Sequence, residues 1–178
     1  VYEGHNQKGR KRMIPTPMIV AVVVVVWAVL FVIFMILGRK RKNAERSFIE
    51  SNKDKALLHL YCRKIKIDGQ KLSSLPHITG QNLQQIAALP SGKHSLEGIF
   101  QSTELAGMKT RNVESEKLSF ELSLEAGHNY TAAMYFYSSE ERKEYYKGNV
   151  GKVIAEIPLS LLPESANPKA YVIVYQED

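Results

Sequence analysis

The 178-residue chain has one cysteine, Cys62, one tryptophan, Trp27, and only two acidic residues among its first 46 positions. A lone thiol excludes an intrachain disulfide and any zinc site built from several cysteines, although it does not fix the redox compartment. The shortage of acid coincides with a concentration of base. Residues 1–46 carry Lys8, Arg10, Lys11, Arg12, Arg39, Lys40, Arg41, Lys42 and Arg46 against Glu3 and Glu45, a balance of 9 minus 2, or +7. The whole chain is +6, so residues 47–178 hold a net −1. A nucleic-acid-binding face needs clustered Lys and Arg to neutralise phosphates, and this portion has no such excess. No nucleic-acid partner is expected.

Motifs for chemistry are equally scarce. His59, His77, His94 and His128 show neither H-x-x-x-H nor H-E-x-x-H spacing, so no two imidazoles are aimed at one metal. Gly92-Lys93-His94-Ser95 has Ala87 where a phosphate loop needs glycine and His94 where it needs Ser or Thr. No G-x-S-x-G elbow occurs, and Asp68 is accounted for by a turn. No cofactor and no catalytic residue are expected. Cys62 shares the phase of Leu58 and Leu60, which predicts a buried, inert thiol. The competing reading is a membrane-tethered thiol enzyme or hydrolase using Cys62 with His59 or His94; Arg63 and Lys64 would favour its thiolate.

What the chain does have is a run from Met18 to Leu37 of 20 residues without a charge. At about 1.5 Å per residue, a helix of that length spans the roughly 30 Å hydrocarbon core of a bilayer. Val22–Val26 would favour a strand in water, but lipid offers an open strand edge no partner, so a helix is expected. Pro15 and Pro17 mark its start. A cleaved signal peptide is the weaker reading, because the run passes directly into Gly38-Arg39-Lys40-Arg41-Lys42. Those basic residues, together with Lys8–Arg12, read as membrane flanks that attract anionic headgroups, rather than as nuclear-localisation patches. Within about 18 residues of the run stand four Lys or Arg before it and seven after it, a count that favours a cytoplasmic C-terminal portion. There is no Gly-xxx-Gly face from which to infer a helix dimer.

The expected plan is a basic tail over 1–17, a transmembrane helix over 18–37, a charged stalk over 38–54 and a β-sandwich over 55–178. Leu118, Phe120, Leu122 and Leu124 alternate with polar residues, and Tyr130, Ala132, Met134 and Phe136 do so after Ala126-Gly127, which predicts an antiparallel hairpin. Ile65 and Ile67 run into Asp68-Gly69, suited to a type I′ turn. Further strands are expected near Leu83–Leu89, from His94 to Phe100 with a bulge marked by Gly98, at Val153–Ile157 and at Tyr171–Tyr175. Ser138 and Glu141 have capping-box spacing, and Gly148 can end a helix between them and the next strand. Seven or eight short strands imply an Ig-like or prealbumin-like antiparallel β-sandwich.

Three turn motifs, IDGQKL within Ile65–Leu72, LPSGKHSLEGIF at Leu89–Phe100 and LEAGHNY at Leu124–Tyr130, together resemble bacterial PEGA-type membrane-anchored β-sandwich domains. The resemblance covers about 80 residues, and after Leu72 the chain departs from it with Ser73-Ser74 in place of glycine. It implies a non-catalytic binding or envelope-organising module, often extracytoplasmic, which pulls against the charge count. An accessory subunit of a membrane complex is the alternative. The partners expected are therefore the lipid bilayer and a protein or envelope component. Tyr135 and Tyr137 lie off the core phase, with Tyr145 and Tyr146 close in sequence; these four are the candidate binding residues. Asn129-Tyr130-Thr131 fits a glycosylation acceptor, but it falls inside a strand.

Overall fold

A computed structural model describes residues 16–81, 84–159, 167 and 169–177. Residues 1–15 of the expected basic tail, Pro15 among them, and Leu83 lie outside them. The chain divides into two compact units, Val1–Lys40 and Arg41–Asp178.

The first unit is dominated by helix α1, Thr16–Ser51, whose 36 residues continue past the unit boundary. Pro17 occupies its first turn, where an amide donor is not needed. The valine run is helical, and the apolar side chains described between Met18 and Leu37 are all exposed. The helix is long and apolar enough to cross a membrane. It also does not stop at the basic residues: the segment expected as a stalk is helical as far as Ser51. Asn52 then ends α1, its Nδ2 donating to the Phe48 carbonyl at 2.8 Å.

The second unit is mainly β, with ten strands in two sheets among the described residues. The strands are β1 Ala56–Leu60, β2 Cys62–Ile67, β3 Gln70–Lys71, β4 His77–Thr79, β5 Gln85–Leu89, β6 Gly92–Ala106, β7 Lys109–Leu124, β8 Asn129–Tyr135, β9 Lys152–Leu159 and β10 Ala170–Gln176. Helix α2, Ser139–Tyr145, lies between β8 and β9 in the chain. One sheet has the order β4-β5-β1-β8-β10-β9, the other β3-β2-β6-β7. Leu58, Leu60, Ala132, Met134, Val172 and Val174 from the first sheet share a core with Ile67, Leu96, Phe100, Leu122 and Leu124 from the second.

Local turn chemistry follows the sequence closely. Asp68 and Gly69 both take positive φ, 52° and 75°, as a type I′ turn requires, and join β2 to β3. Gly98 does sit at a bulge, but the extra residue belongs to the facing strand: Lys64 and Ile65 of β2 oppose it. A Cβ there would stand 3.0 Å from the Cys62 Sγ, so glycine suits the close approach of β2 and any larger residue needs the cysteine side chain to give way.

Pairing departs from expectation in two places. β7 and β8 are not a hairpin, because β7 pairs with β6 in one sheet while β8 joins the other. Strand alternation tells which side of a strand is buried, not which neighbour it finds. After Gly127 the chain is captured by β1: the Gly127 amide donates to the Lys55 carbonyl and the Leu57 amide to the His128 carbonyl, each at 3.0 Å. Buried Tyr130 secures this crossing, its hydroxyl accepting from the Glu125 amide at 2.9 Å. The second departure follows from the first. β1 and β8 run parallel, so the assembly is not the purely antiparallel sandwich expected.

The central strands of the larger sheet are buried on both faces. Opposite the shared core, Leu57, Ile86, Ala88, Ala133, Ile173 and Tyr175 are also covered, which gives near-continuous apolar runs such as Ala56-Leu57-Leu58. The last turns of α1 are partly covered as well. Glu45, Phe48 and Ile49, at helical spacing, are half-buried, and the Glu45 Oε2 accepts the Gln81 amide at 3.1 Å. Residues 41–51 thus belong with the β unit.

The β6–β7 ribbon extends well beyond the strands expected at His94–Phe100 and Leu118–Leu124. A bulge lies at Ser115–Glu116, two residues opposing Phe100. The buried Ser115 hydroxyl accepts the Phe100 amide at 3.0 Å and donates to the Glu116 carbonyl at 2.7 Å, so the displaced backbone groups keep partners. Farther out, the buried Glu104 carboxylate is held by Arg111 and Asn167, and the tip exposes Leu105 and Met108.

Candidate functional site

Helix α2 carries Arg142 and Tyr145 of the aromatic cluster, with Tyr146 at its C-cap. Ser138 forms the expected capping box: its hydroxyl accepts the Glu141 amide at 3.2 Å, and the Glu141 carboxylate accepts the Ser138 amide at 2.8 Å. Glu156 of β9 accepts the Ser139 amide at 3.1 Å and fixes the helix start to the sheet. The chain leaves α2 through Gly148, whose amide donates to the Lys143 carbonyl at 2.8 Å.

The four predicted tyrosines are brought together in two pairs. Tyr135 and Tyr137 have ring centroids 5.3 Å apart; Tyr145 and Tyr146 meet edge-to-face at 5.0 Å. Between the pairs stands Arg142. Its guanidinium lies 5.1 Å from the Tyr135 ring centre, 5.7 Å from that of Tyr146 and 4.3 Å from that of Tyr175. Each distance is within the range of a cation–π contact, so one cation joins α2 to the sheet through the rings of Tyr135 and Tyr175 and also lies against Tyr146 at the end of its own helix. Tyr175 and Arg142 were both missed in the sequence. The helical spacing of Arg142 to Tyr145 and Tyr146 was a readable signal, whereas the approach of β10 to β8 was not.

Burial pushes the Tyr135 and Tyr137 phenols above their ordinary range, and pushes that of Tyr175 up to about 12. All three rings stay neutral near pH 7, leaving an uncharged aromatic wall around a single guanidinium. Tyr137, Glu141, Arg142, Tyr145 and Tyr146 line an open cleft of about 520 Å³. Tyr135 and Tyr175 lie against the Arg142 guanidinium, while Tyr145 is 80% exposed and Tyr146 49%.

The residues of the thiol-enzyme reading have other partners. Cys62 packs beside Gly98 and the core, where burial pushes its thiol up to about 12. At pH 8 such a thiol is almost wholly protonated, so alkylation of the folded protein is expected to be at least about tenfold slower than for a free cysteine. Timed labelling with and without denaturant checks this; equal rates would show an accessible, ionisable thiol. His94 is buried, with Nδ1 2.7 Å from the Asp68 Oδ2 and Nε2 2.9 Å from the Pro90 carbonyl. Asp68 also accepts the Ser95 amide at 2.8 Å, and the hydrogen bond from His94 holds its carboxyl below the ordinary range. His59 is hydrogen-bonded to Gln84, and burial lowers its pKa. Tyr130, the middle residue of the glycosylation pattern, is buried in β8 between β1 and β10. Among the described residues no group of three or more His, Cys, Asp or Glu is arranged to hold a metal.

No family model, curated protein or solved structure matches the chain.

Proposed function

We propose that the chain is a single-pass membrane protein whose β domain serves as a non-catalytic binding or envelope-organising module. The reading keeps the sandwich class, and with it the likeness to PEGA-type domains, as the nearest account of the turn motifs. Its contact surface is the cleft of Tyr137, Tyr145 and Tyr146 against Arg142. One observation carries the proposal: Tyr145 and Tyr146 are held at defined geometry while remaining open to solvent. Tyrosine offers a large contact area for little conformational entropy, and Tyr and Arg are enriched among residues that dominate interface energy.

The test is quantitative co-purification in mild detergent, followed by affinity measurement on whatever component is retained. Tyr145→Ala combined with Tyr146→Ala is expected to weaken retention about tenfold or more. Met108→Ser, at the ribbon tip, is expected to leave it unchanged. Because Tyr145 is mostly exposed, Tyr145→Ala alone should keep the wild-type Tm, which separates lost contact from lost fold. Identical retention by the double variant and the wild type rejects the cleft as the contact surface.

A further inference from the structure

The basic residues after the apolar run have an arrangement that a protein or nucleic-acid partner does not require. α1 continues unbroken through Arg39, Lys40, Arg41 and Lys42, all exposed. Consecutive residues of a helix are about 100° apart, so these four side chains are distributed around its whole circumference. A macromolecular surface meets a helix from one side, whereas headgroups surround a helix leaving a bilayer.

Among the described residues, no ion pair along α1 neutralises them either. The chain has no carboxylate between Glu3 and Glu45. Glu45 is the nearest acid, three residues from Lys42 and four from Arg41, but its carboxylate accepts the Gln81 amide instead. Among the described residues, the ion pairs involve other side chains. Depth gives a third argument. Along a helix axis Arg39 to Lys42 lie about 3–8 Å beyond Leu37. That interval matches the roughly 5–8 Å headgroup layer of one leaflet.

We propose that Arg39, Lys40, Arg41 and Lys42 form a collar that binds the phosphates of anionic phospholipids and enriches these lipids around α1. The collar rests on the membrane reading above. Long basic side chains extend their charged ends into the interface while their stems stay against the apolar boundary, so four flexible cations can each reach a different lipid. Recognition is by charge, and salt screens it.

Trp27, the only tryptophan, lies within the apolar run and reports on the lipids next to it. The full chain is reconstituted into phosphatidylcholine vesicles in which either phosphatidylcholine or phosphatidylglycerol carries brominated acyl chains, at equal mole fraction. Quenching of Trp27 gives the relative affinity of the two lipids. The wild type is expected to prefer phosphatidylglycerol by roughly three- to tenfold, a preference that shrinks in 1 M salt. Replacing all four residues with Gln should reduce the preference at least twofold, and Arg39→Lys with Arg41→Lys should retain it. Equal quenching by both lipids in the wild type, or an undiminished preference in the Gln variant, overturns the collar while leaving the membrane helix in place. No quenching by either lipid overturns the membrane reading as well.

Discussion

Deleting Met18–Leu37 is expected to convert a chain that sediments with membranes, and needs detergent for release, into one found in the supernatant after ultracentrifugation. Fifteen of these 20 residues are Val, Leu, Ile or Phe. At about −0.3 to −0.6 kcal/mol each on an insertion scale, they favour the bilayer by roughly 5–9 kcal/mol. Those whose side chains are described are exposed in α1, and exposed apolar surface beyond a few hundred Å² is rare on soluble monomers. The shortened protein should keep its β-type circular dichroism, because Arg41–Asp178 is a compact unit by itself. The fragment should retain residues 41–51, since Glu45 is bonded to the Gln81 amide. Full-length protein that stays in the supernatant without detergent rejects the anchor.

Arg111→Ala is expected to be among the most damaging single changes to the β unit. The Glu104 side chain has 0% exposure, and its Oε1 accepts from the Arg111 Nε at 2.9 Å and Nη2 at 2.6 Å. Asn167 Nδ2 donates to Oε2 at 2.8 Å. Pairing and hydrogen bonds offset the cost of taking this carboxylate out of water. Removing the guanidinium leaves the charge buried without it, at a cost of about 3–5 kcal/mol against a typical total stability of about 5–15 kcal/mol. For a unit of this size that corresponds to a Tm fall of roughly 10–20 °C. Glu104→Met combined with Arg111→Met removes the charge and its partner together and is expected to cost far less, because no desolvated ion remains. Thermal melts of both variants decide the matter. A fall below about 3 °C for Arg111→Ala would show that the pair is not what keeps Glu104 inside the fold.

Those two results concern opposite kinds of legibility. The apolar run is read directly, because bilayer thickness and helix rise turn a count of residues into a span. Glu104 and Arg111 are unremarkable polar residues in a stretch with no strong pattern. Their importance arises only where the β6–β7 ribbon reaches past β2 and meets Asn167.

The same division runs through the rest of the molecule. The Asp68-Gly69 turn, the Ser138–Glu141 capping box and the inward phase of Leu122, Leu124, Tyr130, Ala132 and Met134 were all legible, since each depends on the chemistry of neighbours within a few residues. Tyr135 and Tyr137 were singled out by their phase, and Tyr145 and Tyr146 only by nearness in sequence. Tertiary structure alone decided that β7 and β8 enter different sheets, that β1 and β8 run parallel and that the outer face of the larger sheet is covered. It also placed Arg142 among the rings of Tyr135, Tyr146 and Tyr175. Alternation has a period of two whichever strand lies alongside, so it carries the direction of burial but not the identity of the neighbour. That identity is settled by contacts between segments far apart in the chain, such as Gly127 with Lys55 and β8 with β10.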